Sequence, residues 1–129
     1  MQIHQSAEDY LETILMLSQR MGKVRSIDVV NELGFTKASV SIAMKKLREN
    51  GYIAVDGEGN LTLLEPGLEI AQRIYSRHRL LTHFFVQLGV DEQTAAEDAC
   101  KAEHILSEQT LEKIRESALR NDATHPQAK

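Results

Sequence analysis

Apolar residues along this chain fall first into helical spacing, then into strand alternation, then into helical spacing again. Tyr10, Ile14 and Leu17, flanked by Leu11 and Leu15, recur at i, i+4 and i+7 and predict a helix capped by Ser6 and ended by Gly22. Ser26 to Leu33 reads as a short amphipathic helix with Ser26 as its cap and Gly34 at the place of a left-handed C-cap. A further helix follows almost at once. Thr36 caps it and Val40, Met44 and Leu47 form its buried stripe, which leaves Lys37, Ser39, Ser41, Lys45, Lys46 and Arg48 outward before Asn50-Gly51 stops it. A short helix, a tight turn and a helix with a polar, basic outer face make a helix-turn-helix. Tyr52 to Val55 then predicts a β-branched strand, Asp56 to Asn60 a glycine-rich turn, and Leu61 to Leu64 the returning strand. That hairpin is a wing, and the order of elements is that of a winged helix.

Beyond Pro66 a long helix is predicted to about Leu88, with Leu68, Ala71, Ile74, Leu80, Leu81, Phe84, Phe85 and Leu88 as its apolar content. One stripe cannot hold so many, so this helix is expected to pack on its own chain on one side and on a second subunit on the other. Gly89 ends it. Asp91 caps a helix from Glu92 to about Leu106, in which Ala95, Ala99 and Ala102 offer a face of small residues. Ser107 opens the last helix, Glu108 to about Leu119, and residues 121–129 carry no apolar pattern and are expected to fray.

Composition changes this picture little: 129 residues, 42% hydrophobic and 26% charged, are ordinary globular usage. The amino terminus has no apolar run of signal-peptide length, and no segment reaches the roughly 18 apolar residues of a spanning helix, so a cytoplasmic protein without a membrane partner is expected. The single cysteine, Cys100, cannot form an intrachain disulfide and is left for metal, redox chemistry or packing.

Charge changes it more. The net charge of -4 is unevenly spread: from Arg20 to Arg48 there are seven basic residues against Asp28 and Glu32, whereas from Asp91 to Glu116 eight acids face three basic residues. The basic front half suits phosphates. Thr36, Lys37, Ala38, Ser39 and Ser41, at the start of the helix after the turn, are placed to meet base edges in a major groove of double-stranded DNA. Arg25, Lys45 and Lys46 supply the salt-dependent phosphate contacts. A plain solvated helix face is the alternative for these residues.

In the acidic half, Cys100, Glu103 and His104 fall at i, i+3 and i+4 and share one face if the segment is helical. A thiolate, a carboxylate and an imidazole suit a borderline transition metal better than calcium or magnesium. The same spacing also describes a solvated polar face. Asp9 and Glu12, one turn into the first helix, are explained equally by the helix dipole and solvation. His78, in the middle of the long helix, is by itself an ordinary surface or core histidine.

Together these residues resemble the metal-dependent transcriptional repressors typified by the diphtheria toxin repressor and the manganese transport regulator. The resemblance runs from about Ser6 to Leu119 and is carried by Ala7-Glu8-Asp9-Tyr10-Leu11-Glu12-Thr13-Ile14, the winged helix, Arg77-His78-Arg79-Leu80-Leu81 and Cys100-Lys101-Ala102-Glu103-His104-Ile105-Leu106-Ser107. It is to the shorter, manganese-regulator branch, so the extra carboxy-terminal domain of the iron-regulator branch is expected to be absent. The fold class implied is mainly α: a winged helix-turn-helix over 1–65, a helical dimerisation and metal-sensing domain over 66–120, and a tail over 121–129.

The resemblance implies that Asp9, Glu12, His78, Cys100, Glu103 and His104 are metal ligands and that a homodimer binds operator DNA when loaded with Mn(II) or Fe(II), with Zn(II) or Co(II) as surrogates. The chain departs from both branches at one point. The manganese branch usually has a carboxylate where Cys100 stands, while the iron branch has cysteine there but lacks acids equivalent to both Asp9 and Glu12. Cys100 therefore shifts preference toward iron, cobalt or zinc and argues against a bridged metal pair, since the bridging carboxylate is the residue replaced. Thr82 and Ala96 stand where the iron branch's ancillary site would require ligands. Two other classes compete with this reading. A hydrolase built on Cys100-x-x-Glu103-His104 would resemble the H-x-x-E-H pattern, but its first ligand is wrong and no glycine-rich oxyanion loop accompanies it, so no enzyme is expected. A winged-helix regulator answering another ligand, or none, is the alternative that remains.

Overall fold

The computed structural model describes residues 5–124. In chain order they form α1 (Gln5–Met21), β1 (Val24–Arg25), α2 (Ser26–Leu33), α3 (Lys37–Glu49), β2 (Ile53–Val55), β3 (Asn60–Leu63), α4 (Glu65–Gln87), α5 (Glu92–Ala102) and α6 (Glu108–Thr124). Two compact units result, Met1–Arg73 and Ile74–Lys129, which divide inside α4. Among the described residues no helix is long and apolar enough to cross a membrane.

In the first unit the predicted stripes are the buried ones: Tyr10, Ile14 and Leu17 of α1, with the flanking Leu11 and Leu15, and Val40, Met44 and Leu47 of α3. Gly34 closes α2 in the left-handed conformation at φ 73°, and the Thr36 hydroxyl accepts from the Ser39 amide at 3.1 Å to start α3. The caps of the first two helices differ from expectation. Ser6 lies inside α1. Ser26 is the first residue of α2, and its place as cap is taken by Arg25, whose backbone amide donates to the Asp28 carboxylate at 2.8 Å. Arg25 is extended because Val24 and Arg25 are a strand, which their length conceals in the sequence: β1 pairs antiparallel with β3, Val24 opposite Leu61. The wing is thus a three-stranded sheet in the order β1-β3-β2, with Ile53 opposite Leu63 and Val55 opposite Leu61.

The first turns of α4 belong to this unit because they lie on its backbone. Gly67 comes so close to Tyr52 that an added Cβ would stand 2.2 Å from the Tyr52 carbonyl oxygen, and Arg73 reaches back to Glu8 of α1 at 3.3 Å.

In the second unit Leu81, Ala99 and Leu111, from α4, α5 and α6, are buried together, with Leu80, Phe85, Ala102, Leu106 and Ile114 packed around them. Asp91 caps α5 through the Thr94 amide at 3.1 Å, and Ser107 caps α6 through the Thr110 amide at 3.1 Å. Two helix ends depart from prediction. α5 stops at Ala102, not near Leu106, as Ile105 turns its amide to the Ala102 carbonyl. α6 continues past Leu119 to Thr124, so the first part of the predicted tail is helical. Asp122 on that extension meets His83 Nε2 at 3.0 Å and accepts from Gln87 at 2.8 Å, which ties the added turn to α4. Residues 125–129 of the predicted tail lie outside the described residues.

Candidate metal centre and nucleic-acid interface

Glu103 sits at the C-cap of α5, where the last carbonyls of a helix lack intrahelical partners. Arg77 of α4 supplies one, donating to the Glu103 carbonyl oxygen at 3.1 Å while its other terminal nitrogen pairs with Glu108 at the start of α6. With its backbone held from α4, the Glu103 side chain is fully buried, at 0% exposure. A carboxylate in such a place needs charged or hydrogen-bonding company, and two imidazoles provide it. His78 Nδ1 stands 3.0 Å from Glu103 Oε1 and His104 Nε2 stands 3.5 Å from Oε2.

The donor set fits a transition metal. Neutral imidazole and carboxylate are both borderline-to-hard ligands, and two donors bound side by side at about 2.1 Å each stand about 3 Å apart, close to the 3.0 Å between His78 and Glu103. Of the three groups expected on one helical face, two do meet: one ligand atom each of Cys100 and Glu103 lies within 4.8 Å of the other. Cys100 is exposed on α5, and Glu103, the C-cap whose amide still donates to the Ala99 carbonyl at 2.9 Å, is buried on the turn that Arg77 holds, followed by His104. In the first unit Asp9 and Glu12 lie on α1 as expected, Glu12 being buried. The phenol of Tyr10, the residue after Asp9, is pushed above its usual pKa by burial first and by the Asp9 charge second.

Sequence reasoning gave Arg77 no task of its own, although it lies within a motif that carried the resemblance. Its signal was the adjacency to His78: neighbouring residues on a helix face different partners, here the backbone and the side chain of Glu103.

At the other end of the chain, Arg25, Thr36, Lys37, Ala38, Ser39, Ser41, Lys45 and Lys46 are all exposed. A helix-turn-helix with a wing and a basic outer face is the architecture of a DNA-binding module, and the helical unit places a buried carboxylate beside two imidazoles, groups able to ligate a metal. The two together describe a metal-responsive regulator of transcription.

Comparison with known proteins agrees. Residues 2–61 match the iron dependent repressor N-terminal DNA binding domain, and residues 64–127 match the iron dependent repressor metal binding and dimerisation domain. A helix-turn-helix transcriptional regulator of Methanocaldococcus jannaschii is 37% identical over 113 residues, covering 86% of this chain and 90% of that protein. The regulator MntR of Bacillus subtilis is 34% identical over 109 residues, covering 84% of this chain and 77% of MntR. A manganese-dependent transcriptional repressor solved in complex with manganese superposes with a TM-score of 0.79 at 28% identity over 87% of this chain. The manganese regulator SloR does so with a TM-score of 0.75 at 26% identity over 90% of it. This chain spans about half the length of those two solved structures, 52% and 54%. The chain belongs to the iron-dependent repressor family and is a metal-activated transcriptional repressor.

Proposed function

We propose that this protein is a homodimer that binds operator DNA when loaded with Mn(II) or Fe(II) and so represses genes of metal homeostasis, Zn(II) and Co(II) serving as surrogates. The observation that carries the reading is Glu103, a fully buried carboxylate with an imidazole at 3.0 Å and another at 3.5 Å, in a chain whose other unit is a winged helix. His78, Glu103 and His104 are the centre of the ligand set. Asp9, Glu12 and Cys100 join it on the strength of the resemblance to the manganese regulators. A bound metal supplies positive charge and coordination bonds to a carboxylate-rich group of side chains.

Asp9, Glu12 and Glu103 suit Mn(II) as oxygen donors, and the Cys100 thiolate favours Fe(II), Co(II) and Zn(II). Asp9 and Glu12 come from the helix that leads into the winged helix, the other ligands from the dimerisation domain. Shared ligation therefore narrows the separations that the two winged helices of a dimer sample, and an operator with fixed half-site spacing selects the same conformations. Two ligands that prefer one conformation must strengthen each other by an equal factor, typically about 5–150-fold.

The test is a closed cycle: Mn(II) affinity measured with and without a saturating duplex that the chain has selected from a random pool, and duplex affinity with and without Mn(II). Equal enhancement on both sides, lost in Glu103→Ala while random-duplex binding persists, supports the reading. No coupling in either direction removes it.

A further inference from the structure

The outer face of α3 is basic at its edges and apolar in its centre. Ile42 is 58% exposed. It lies two residues, and so about 200° of helix, beyond the buried Val40, which puts it opposite the core. Ala38, also exposed, precedes it by one turn on the same line; Ser41 and Lys45 flank it on one side and Ser39 and Lys46 on the other, all exposed. An isolated surface isoleucine needs no explanation. One at the middle of a hydroxyl- and lysine-bordered face has the layout of a binding surface, apolar at the centre with a polar rim.

We infer that Ile42 is a specificity-determining residue that reads thymine through its 5-methyl group in the major groove; the inference rests on the assignment of α3 as the helix that meets DNA. The chemistry of α3 favours this mode of readout. Its first two turns, Lys37 to Ala43, contain no arginine, asparagine or glutamine, the side chains that pair bidentately with guanine or adenine. Ser39 and Ser41 accept or donate to several bases and discriminate weakly. The discriminating contact left to these turns, beside Lys37, is an apolar one, and the thymine methyl is the single apolar group that the major-groove edges present. The β-branched side chain holds its methyls in few rotamers, so little freedom is lost on contact. The lysines around it anchor the backbone and carry no such preference.

The experiment uses the full chain loaded with Mn(II) and a duplex selected from a random pool, in which each thymine is replaced in turn by deoxyuridine. That change removes one methyl and keeps every hydrogen-bonding group. At one or two positions of each half-site uracil should weaken binding roughly four-fold, the value of one buried methylene. Ile42→Ala should erase that penalty while leaving random-duplex affinity and its salt slope as in the parent, whereas Lys37→Ala should lower both. Uracil tolerated at every position, or a penalty that persists undiminished in Ile42→Ala, overturns the inference and leaves the DNA-binding assignment standing. Failure of the parent chain to enrich or bind any duplex overturns that assignment, and the inference with it.

Discussion

Arg77 and Glu103 are joined through the backbone, not through their charges: the guanidinium donates to the Glu103 carbonyl oxygen at 3.1 Å, while the carboxylate of the same residue turns to His78, the next residue after Arg77. One helix thereby holds both the main chain and the side chain of the central acid. Arg77→Ala should therefore weaken Mn(II) binding about 10–100-fold, the range for partners that orient ligands without touching the metal. Random-duplex binding should stay unchanged. Calorimetric Mn(II) titration of Arg77→Ala and Arg77→Lys checks it; unchanged affinity in both would reduce Arg77 to its ion pair with Glu108.

Cys100 is the point at which the proposed ligand set departs from the manganese regulators. Cys100→Ser should lose affinity for Zn(II) and Co(II) on the order of ten-fold more than for Mn(II), because the soft ligand is the one removed. Cys100→Glu should shift preference toward Mn(II) and admit a second ion per chain, since a carboxylate can bridge. Metal ranking and stoichiometry left as in the parent, in both variants, would return Cys100 to a packing role.

Gly67 should resist replacement although it lies in a helix. Alanine there gains about 0.5–1 kcal/mol of helix preference, but its Cβ would stand 2.2 Å from the Tyr52 carbonyl oxygen, a backbone atom that cannot swing away. Overpacking of this kind costs about 1–3 kcal/mol, so Gly67→Ala should be net destabilising in urea unfolding. A variant as stable as the parent would mean that α4 shifts freely on the winged helix.

Asp56 organises the wing. Its Oδ1 accepts from the amides of Glu58 at 2.8 Å and Asn60 at 2.9 Å, and its Oδ2 from the Asn60 side chain at 3.0 Å. The Asn60 backbone hydrogen bond is the largest of the influences that hold this carboxyl below its ordinary value of 3.8. A folded-state pKa below the unfolded one contributes stability that is fully present above the unfolded pKa and disappears as pH falls through the folded one. Asp56→Asn keeps one acceptor but loses the charge and the second oxygen. It should melt below the parent at pH 7, and the gap should close as pH drops beneath 3.8; a gap independent of pH would show that the charge is irrelevant.

Local rules carried most of the architecture. The apolar periods of α1 and α3, the Thr36, Asp91 and Ser107 caps and the left-handed Gly34 each depend on residues within a turn or two of one another, so their physics is complete in a short window. The order helix, turn, helix, hairpin then left little choice but a winged helix. For the same reason the identities of the candidate ligands were legible, as residue types at set separations.

What sequence spacing could not supply was anything decided by distant partners. Strand β1 exists because β3 pairs with it, and two residues carry no period of their own. The extra turn of α6 is held by His83 and Gln87, thirty-odd positions away, against a local pattern too polar to predict it. Arg77, twenty-six positions away, takes the Glu103 carbonyl at the end of α5, and Glu103 is buried while Cys100, one turn earlier, is exposed. Sequence by itself determined which groups were available for metal and for DNA; tertiary structure decided which of them are buried, since burial depends on what packs above a residue and not on what lies beside it in the chain.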